Sequence, residues 1–108
     1  MAFKSKVSAS VGLSASPTTI TDTVVSGATH TVVGLSLANT SSSPVTTSIK
    51  LLKNGGSSAF LVKDATVAVG GALVAVGGDQ KVVLEAGDSI TAYSSAASSV
   101  DAALSYLV

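Results

Sequence analysis

The fold is decided by one stretch, His30-Thr-Val-Val-Gly34-Leu-Ser-Leu-Ala-Asn39-Thr-Ser-Ser-Ser-Pro44-Val-Thr-Thr-Ser-Ile49-Lys-Leu51. Thr31, Val33, Leu35 and Leu37 alternate with His30, Val32, Gly34 and Ser36. Val45, Thr47, Ile49 and Leu51 alternate with Thr46, Ser48 and Lys50. A period of two sends successive side chains to opposite faces of a strand. The pattern predicts half-buried strands over about 29–38 and 45–51. Asn39 to Pro44 between them is Asn, Thr, Ser and Pro, all residues that favour turns.

Upstream, Phe3, Val7, Ala9, Val11 and Leu13 hold odd positions, with Lys4, Lys6, Ser8 and Ser10 between. This predicts one long half-buried strand over about 3–14, ended by Pro17. A short strand around Thr19–Val25 follows, and Gly27 marks a turn. Downstream, Asn54-Gly55-Gly56 tolerates positive φ and predicts a hairpin into Ala59–Lys63. Val67 and Val69 lead to Gly70-Gly71, and Leu73, Val74 and Val76 lead to Gly77-Gly78. A strand at about Lys81–Leu84 precedes a tight turn at Glu85-Ala-Gly87-Asp88. Ile90, Ala92 and Ser94 then alternate with Thr91 and Tyr93. Val100, Ala102, Leu104, Tyr106 and Val108 share one face of a last strand, opposite Asp101 and Ser105. Val, Thr, Ser and Gly dominate throughout, and they are poor helix formers. The expected class is all-β: a single-domain antiparallel β-sandwich over 1–108, jelly-roll or Ig-like, with 8–9 short strands. Residues 1–14 are its first strand or a contact arm.

The chain has 108 residues, enough for one domain. Area scaling gives roughly 15,000 Å² unfolded and about 5,400 Å² folded, so a core forms without covalent staples. Charged residues are 11%, against about 25% in a typical soluble domain. There are six Lys, no Arg, six acids and one His, for a net charge of +0. Ser (19) and Thr (11) supply the polarity instead. With no Cys there is no disulfide and no thiolate metal site. Neutrality without Arg argues against a nucleic-acid partner, whose phosphates need a basic footprint. No stretch of about 18 apolar residues exists, so no membrane-spanning helix is expected. The lysines at the start are not followed by an apolar h-region, so no secretory signal is expected. Alternating apolar residues at 46% argue against disorder.

Chemistry-bearing residues are sparse. His30 falls on the polar-facing register of its strand. As a base it would activate one of the serines, but no G-x-S-x-G elbow is present, and a surface or interface histidine is the plainer reading. Asp22, Asp64, Asp79, Glu85, Asp88 and Asp101 mostly flank turns. Two of them could form a glycosidase pair, yet solvated turn formers explain them as well. The Gly pairs lack the Lys-Ser/Thr of a phosphate cradle. Asp79 and Asp88 beside glycines raise the idea of calcium, without a D-x-D-x-D spacing. Asn39-Thr40-Ser41 matches a glycosylation acceptor but reads as loop. Tyr93 and Tyr106 would be a ligand platform if exposed together, and core-edge packing otherwise. No catalytic residue, cofactor or metal set is assigned.

Several segments together carry a resemblance. Val33-Gly-Leu-Ser-Leu-Ala-Asn-Thr40 runs into a Ser/Pro loop and the alternating Val45–Leu51. Lys81-Val-Val-Leu-Glu-Ala-Gly-Asp-Ser-Ile90 follows, then Ser94-Ser-Ala-Ala-Ser-Ser-Val100-Asp-Ala-Ala-Leu-Ser105. Over roughly residues 24–108 the chain resembles small all-β structural proteins of tailed bacteriophages, especially marine and cyanobacterial ones. The L-x-A-G-D-x-I turn is shared by many sandwich proteins, so the order of segments carries the likeness. The resemblance implies a virion component rather than an enzyme, assembled in the host cytoplasm. The expected role is a head decoration or cement protein bound to the major capsid protein. The alternatives are a neck, tail or fibre component, or a host-surface carbohydrate-binding module. No functional residue carries over from the resemblance. Low charge also removes a common defence of sheet edges, so a homo-oligomer or a docked edge is expected. Phe3, Lys4, Lys6 and Val7 are the candidate interface residues.

Overall fold

A computed structural model describes residues 2–77 and 80–108. Nine strands and no helix are found among them: β1 (Phe3–Ser8), β2 (Thr18–Thr19), β3 (His30–Asn39), β4 (Val45–Leu52), β5 (Ser58–Val67), β6 (Ala72–Val76), β7 (Val82–Leu84), β8 (Ser89–Ser94) and β9 (Val100–Leu107). They form two antiparallel sheets. One has the order β1-β9-β3-β6, with β7 also paired to β3; the other has the order β2-β8-β4-β5.

The pairing is nested. β4 lies on β5, β3 on β6 and β7, β2 on β8, and β1 on β9. The chain is thus a long antiparallel ribbon wound over so that its two ends meet. That is the strand order of a jelly roll, with one position divided between β6 and β7. The inner faces meet in one apolar core, with Ile20, Leu35, Leu37, Ile49, Leu84 and Ile90 at its centre. The folded surface is 5560 Å², close to the scaling value for one domain of this size.

Several sequence expectations are corrected. The strand expected over 3–14 ends at Ser8. Ser10 takes a φ of 58° and donates its N–H to the Asp101 carboxylate at 2.9 Å. The chain then crosses to the other sheet. Val11 plugs the end of the core, and Gly12 approaches Ser16 so closely that a Cβ would stand 2.4 Å from its carbonyl oxygen. β1 is also turned the other way. It pairs Lys4 with Tyr106 and Lys6 with Leu104, both core-facing, and Phe3 and Val7 with the outward Leu107 and Ala103. Directly opposed residues share a face, so Phe3 and Val7 point to solvent.

In β3 a bulge between Val32 and Gly34 shifts the phase of the alternation. Val32 is buried where Thr31 and Val33 were expected. Leu35 and Leu37, beyond the bulge, are buried as the alternation predicts. The strand expected around Thr19–Val25 shrinks to Thr18–Thr19. The two pieces expected around Ala59–Lys63 and Val67–Val69 are one strand, β5. Asp64 interrupts its ladder at φ 52°, and its N–H donates to Ser48 Oγ at 2.9 Å. Val69 lies outside it, exposed.

Candidate functional site

The four candidate interface residues all lie on β1, on two different faces. Phe3 (78% exposed) and Val7 (73%) are on the outer face of the larger sheet. Strand pairing extends that face through Ala103, Ser105 and Leu107 of β9, Thr31, Gly34, Ser36 and Ala38 of β3, Ala72 and Val74 of β6, and Val83 of β7. Val74 (68%) and Val83 (51%) are exposed as well. The outward strand positions carry a single charged residue, Asp101, at one corner, already bonded to the Ser10 N–H. The outer face of the other sheet differs. Lys50 and Lys63 there stand 5.1 and 5.3 Å from the Phe60 ring centroid, and Lys63 pairs with Asp64 at 3.1 Å.

The lysines of β1 sit on its other face. Lys6 donates to Asp22 Oδ1 at 3.0 Å, and the Tyr106 hydroxyl donates to Asp22 Oδ2. His30 stacks on the Tyr106 ring, with centroids 5.0 Å apart and planes inclined by 25°. The bulge at Val33 explains this placement. It puts His30 in phase with the buried Val32 rather than on the polar-facing register expected from the sequence. The Tyr106 hydroxyl, and then Lys6, hold the Asp22 carboxyl below its usual range. The same bond raises the Tyr106 hydroxyl above its ordinary value. A carboxylate held ionised, with a bond to each oxygen, is a poor proton acceptor near neutral pH. The cluster ties β1, the 20–24 segment, β3 and β9 together at one edge. Tyr106 is buried in the core while Tyr93 faces outward on the opposite sheet, so the two tyrosines form no platform.

Asp88 is also committed to the fold. Its Oδ1 accepts the Asn54 N–H at 2.9 Å, and its Oδ2 accepts the Glu85 N–H at 2.9 Å and Lys53 Nζ at 2.5 Å. These bonds, Lys53 foremost, pull the carboxyl down to about 2. They lock the β4–β5 turn to the β7–β8 turn. Gly87 completes the lock at φ 83°, where a Cβ would stand 2.6 Å from the Asn54 side chain. The Leu84-Glu-Ala-Gly-Asp88 motif therefore reads as architecture. Asp79, paired with Asp88 in the calcium idea, lies outside the described residues. No cluster of three or more His, Asp or Glu that could hold a metal is found among the described residues.

Asn39 is buried, and its Nδ2 donates to the carbonyls of Ser43 at 2.9 Å and Val67 at 3.1 Å. Its Oδ1 accepts from the Ser41 N–H and hydroxyl. A glycan there would first have to open the loop. Between Asp22 and Asp88 lies a cleft of about 140 Å³ lined by Thr19, Thr21, Gly87 and Ser89. Sites for small organic ligands run to about 300–1,000 Å³. The outer face is not legible in the sequence as one surface, because its members come from five strands joined only by long-range pairing. Comparison with protein-family models, curated proteins and solved structures finds no match.

Proposed function

We propose that this chain is a non-enzymatic structural protein of a tailed-phage virion. In this reading it is a head decoration or cement protein that binds the major capsid protein by surface complementarity. The observation that carries the proposal is the outer face of the larger sheet, charged only at the corner Asp101, with Phe3, Val7, Val74 and Val83 exposed on it. Contiguous exposed apolar patches mark interaction surfaces in soluble proteins. Apart from Leu107 and the corner Asp101, the rest of that face is Ala, Ser, Thr and Gly, short side chains that lose little rotamer freedom on docking. A face of short side chains spread over five strands suits a broad partner better than a small ligand. Jelly rolls host viral capsid and lectin domains alike, so the fold supports this reading by analogy alone.

The test is copy number on phage particles purified from cultures that produce this chain, by quantitative mass spectrometry and cryo-electron microscopy. Copies in the hundreds, seated on the head shell with the Phe3 face inward, are expected. A few dozen copies or fewer would move the protein to the neck, tail or fibre. Absence from purified particles would refute the virion reading.

A further inference from the structure

We infer that two copies of this chain join edge to edge through β1, in an antiparallel two-fold pairing centred on Ser5. The inference begins with the backbone. Ala2 and Val108 exchange both hydrogen bonds, Ala2 N–H to Val108 O at 3.2 Å and Val108 N–H to Ala2 O at 2.9 Å. In an antiparallel ladder bonded and non-bonded pairs alternate. Lys4, Lys6 and Ser8 therefore bond to β9, while Phe3, Ser5 and Val7 turn their N–H and C=O groups away from the sheet. The same three residues carry their side chains on the outer face.

β1 is the least guarded edge among the described strands. β5 is interrupted by Asp64 at positive φ and carries the Lys63–Asp64 pair. β6 is five residues long and bulged against β3, and β2 is two residues long. β1 runs six residues in unbroken register with β9. Its inward Lys6 is neutralised by Asp22 at 3.0 Å, so the usual protection by an inward charge is half cancelled.

The edge is self-complementary. With Ser5 opposite Ser5 of the second copy, Phe3 meets the second copy's Val7 on each side of the axis. An aromatic against a β-branched residue is a favourable cross-strand pair. Lys4 faces the second copy's Lys6, whose charge is already paired. The two larger sheets become one continuous sheet, and their outer faces merge. An edge of six residues per copy is small beside the about 1,000 Å² that specific interfaces clear. The pairing is thus a weak one, sampled at micromolar concentration and above. It goes beyond the virion reading and does not rest on it.

Sedimentation velocity on the purified chain, up to about 500 µM, reads the equilibrium directly. A concentration-dependent dimer is expected, and Val7→Lys should weaken it by roughly tenfold or more. Far-UV circular dichroism and melting temperature should stay unchanged, because the Val7 side chain is exposed. Register is read by single cysteines in a chain that has none. Opposed residues of a bonded pair have Cα atoms about 5.5 Å apart, within disulfide range. Ser5→Cys should oxidise to a covalent dimer, and Ser105→Cys, one strand further in, should not. A monomer across the whole range overturns the inference. So does a dimer insensitive to Val7→Lys, or one linked through Ser105→Cys and not Ser5→Cys.

Discussion

Replacing Thr47 by Val removes the one buried side-chain polar atom that has no partner among the described residues. Thr47 is fully buried in the middle of β4, between Ala65 of β5 and Ser94 of β8. Its hydroxyl left water on folding and regained no bond, which costs about 1–3 kcal/mol. Val keeps the branched shape and exchanges the hydroxyl for a methyl, itself worth about 0.8 kcal/mol when buried. Thr47→Val should therefore stabilise the fold by roughly 2–4 kcal/mol. For a domain near 100 residues each kcal/mol moves the melting temperature by about 4 °C or more, so a rise of about 8–16 °C is expected. Thr47→Ser provides the opposite sign. It keeps the hydroxyl, loses the methyl, and should cost about 1 kcal/mol. Scanning calorimetry, checked by urea unfolding at constant m-value, measures both. A melting temperature below that of the parent for Thr47→Val would refute the reasoning, since it would show a hydroxyl already bonded in the native state.

Three further outcomes follow from the geometry. Gly87→Ala and Gly27→Ala meet the same φ of 83°, but only at Gly87 would a Cβ strike another side chain. Gly27→Ala should cost about 1–2 kcal/mol of left-handed strain, and Gly87→Ala distinctly more; equal urea midpoints would show that Asn54 moves aside freely. The Asp88 carboxyl is lowered from 3.8 to about 2, so its contribution is present above the unfolded value and is lost as pH falls through the folded one. Urea midpoints measured from pH 5 to pH 2 should fall, and Asp88→Asn should flatten that fall; an unchanged slope counts against the turn lock. Tyr106 is raised by its bond to Asp22, so its contribution is present below the unfolded tyrosine value near 10 and is lost as pH rises through the higher folded one. Ultraviolet titration should show a tyrosine ionising late, and Tyr106→Phe should remove that step while lowering stability at neutral pH.

The legible parts of this fold are those where alternation runs undisturbed. Val45, Thr47 and Ile49 face the core, as do Val100, Ala102, Leu104 and Tyr106, in the phase the pattern predicts. The turn at Glu85–Asp88 was legible as a turn. Its partner was not, because Asp88 reaches Lys53 and Asn54 across more than thirty residues of chain. His30 was misplaced for a different reason. A single extra residue at Val33 reverses every side chain on one side of it, and nothing local in Thr-Val-Val-Gly announces the bulge.

By itself the sequence determined that this chain is an antiparallel β-sandwich with few charges, because period-two alternation and turn chemistry are local properties that survive without knowledge of partners. Alternation says which residues share a side and is silent on which side is covered. In β1 the tertiary structure decided that question against hydrophobicity. Pairing with β9 and the Lys6–Asp22 bond turn the lysines inward and leave Phe3 and Val7 in solvent. The nearly uncharged outer face and the open edge exist only once five distant segments are laid side by side, so they belong to the pairing of strands and to no single stretch of residues.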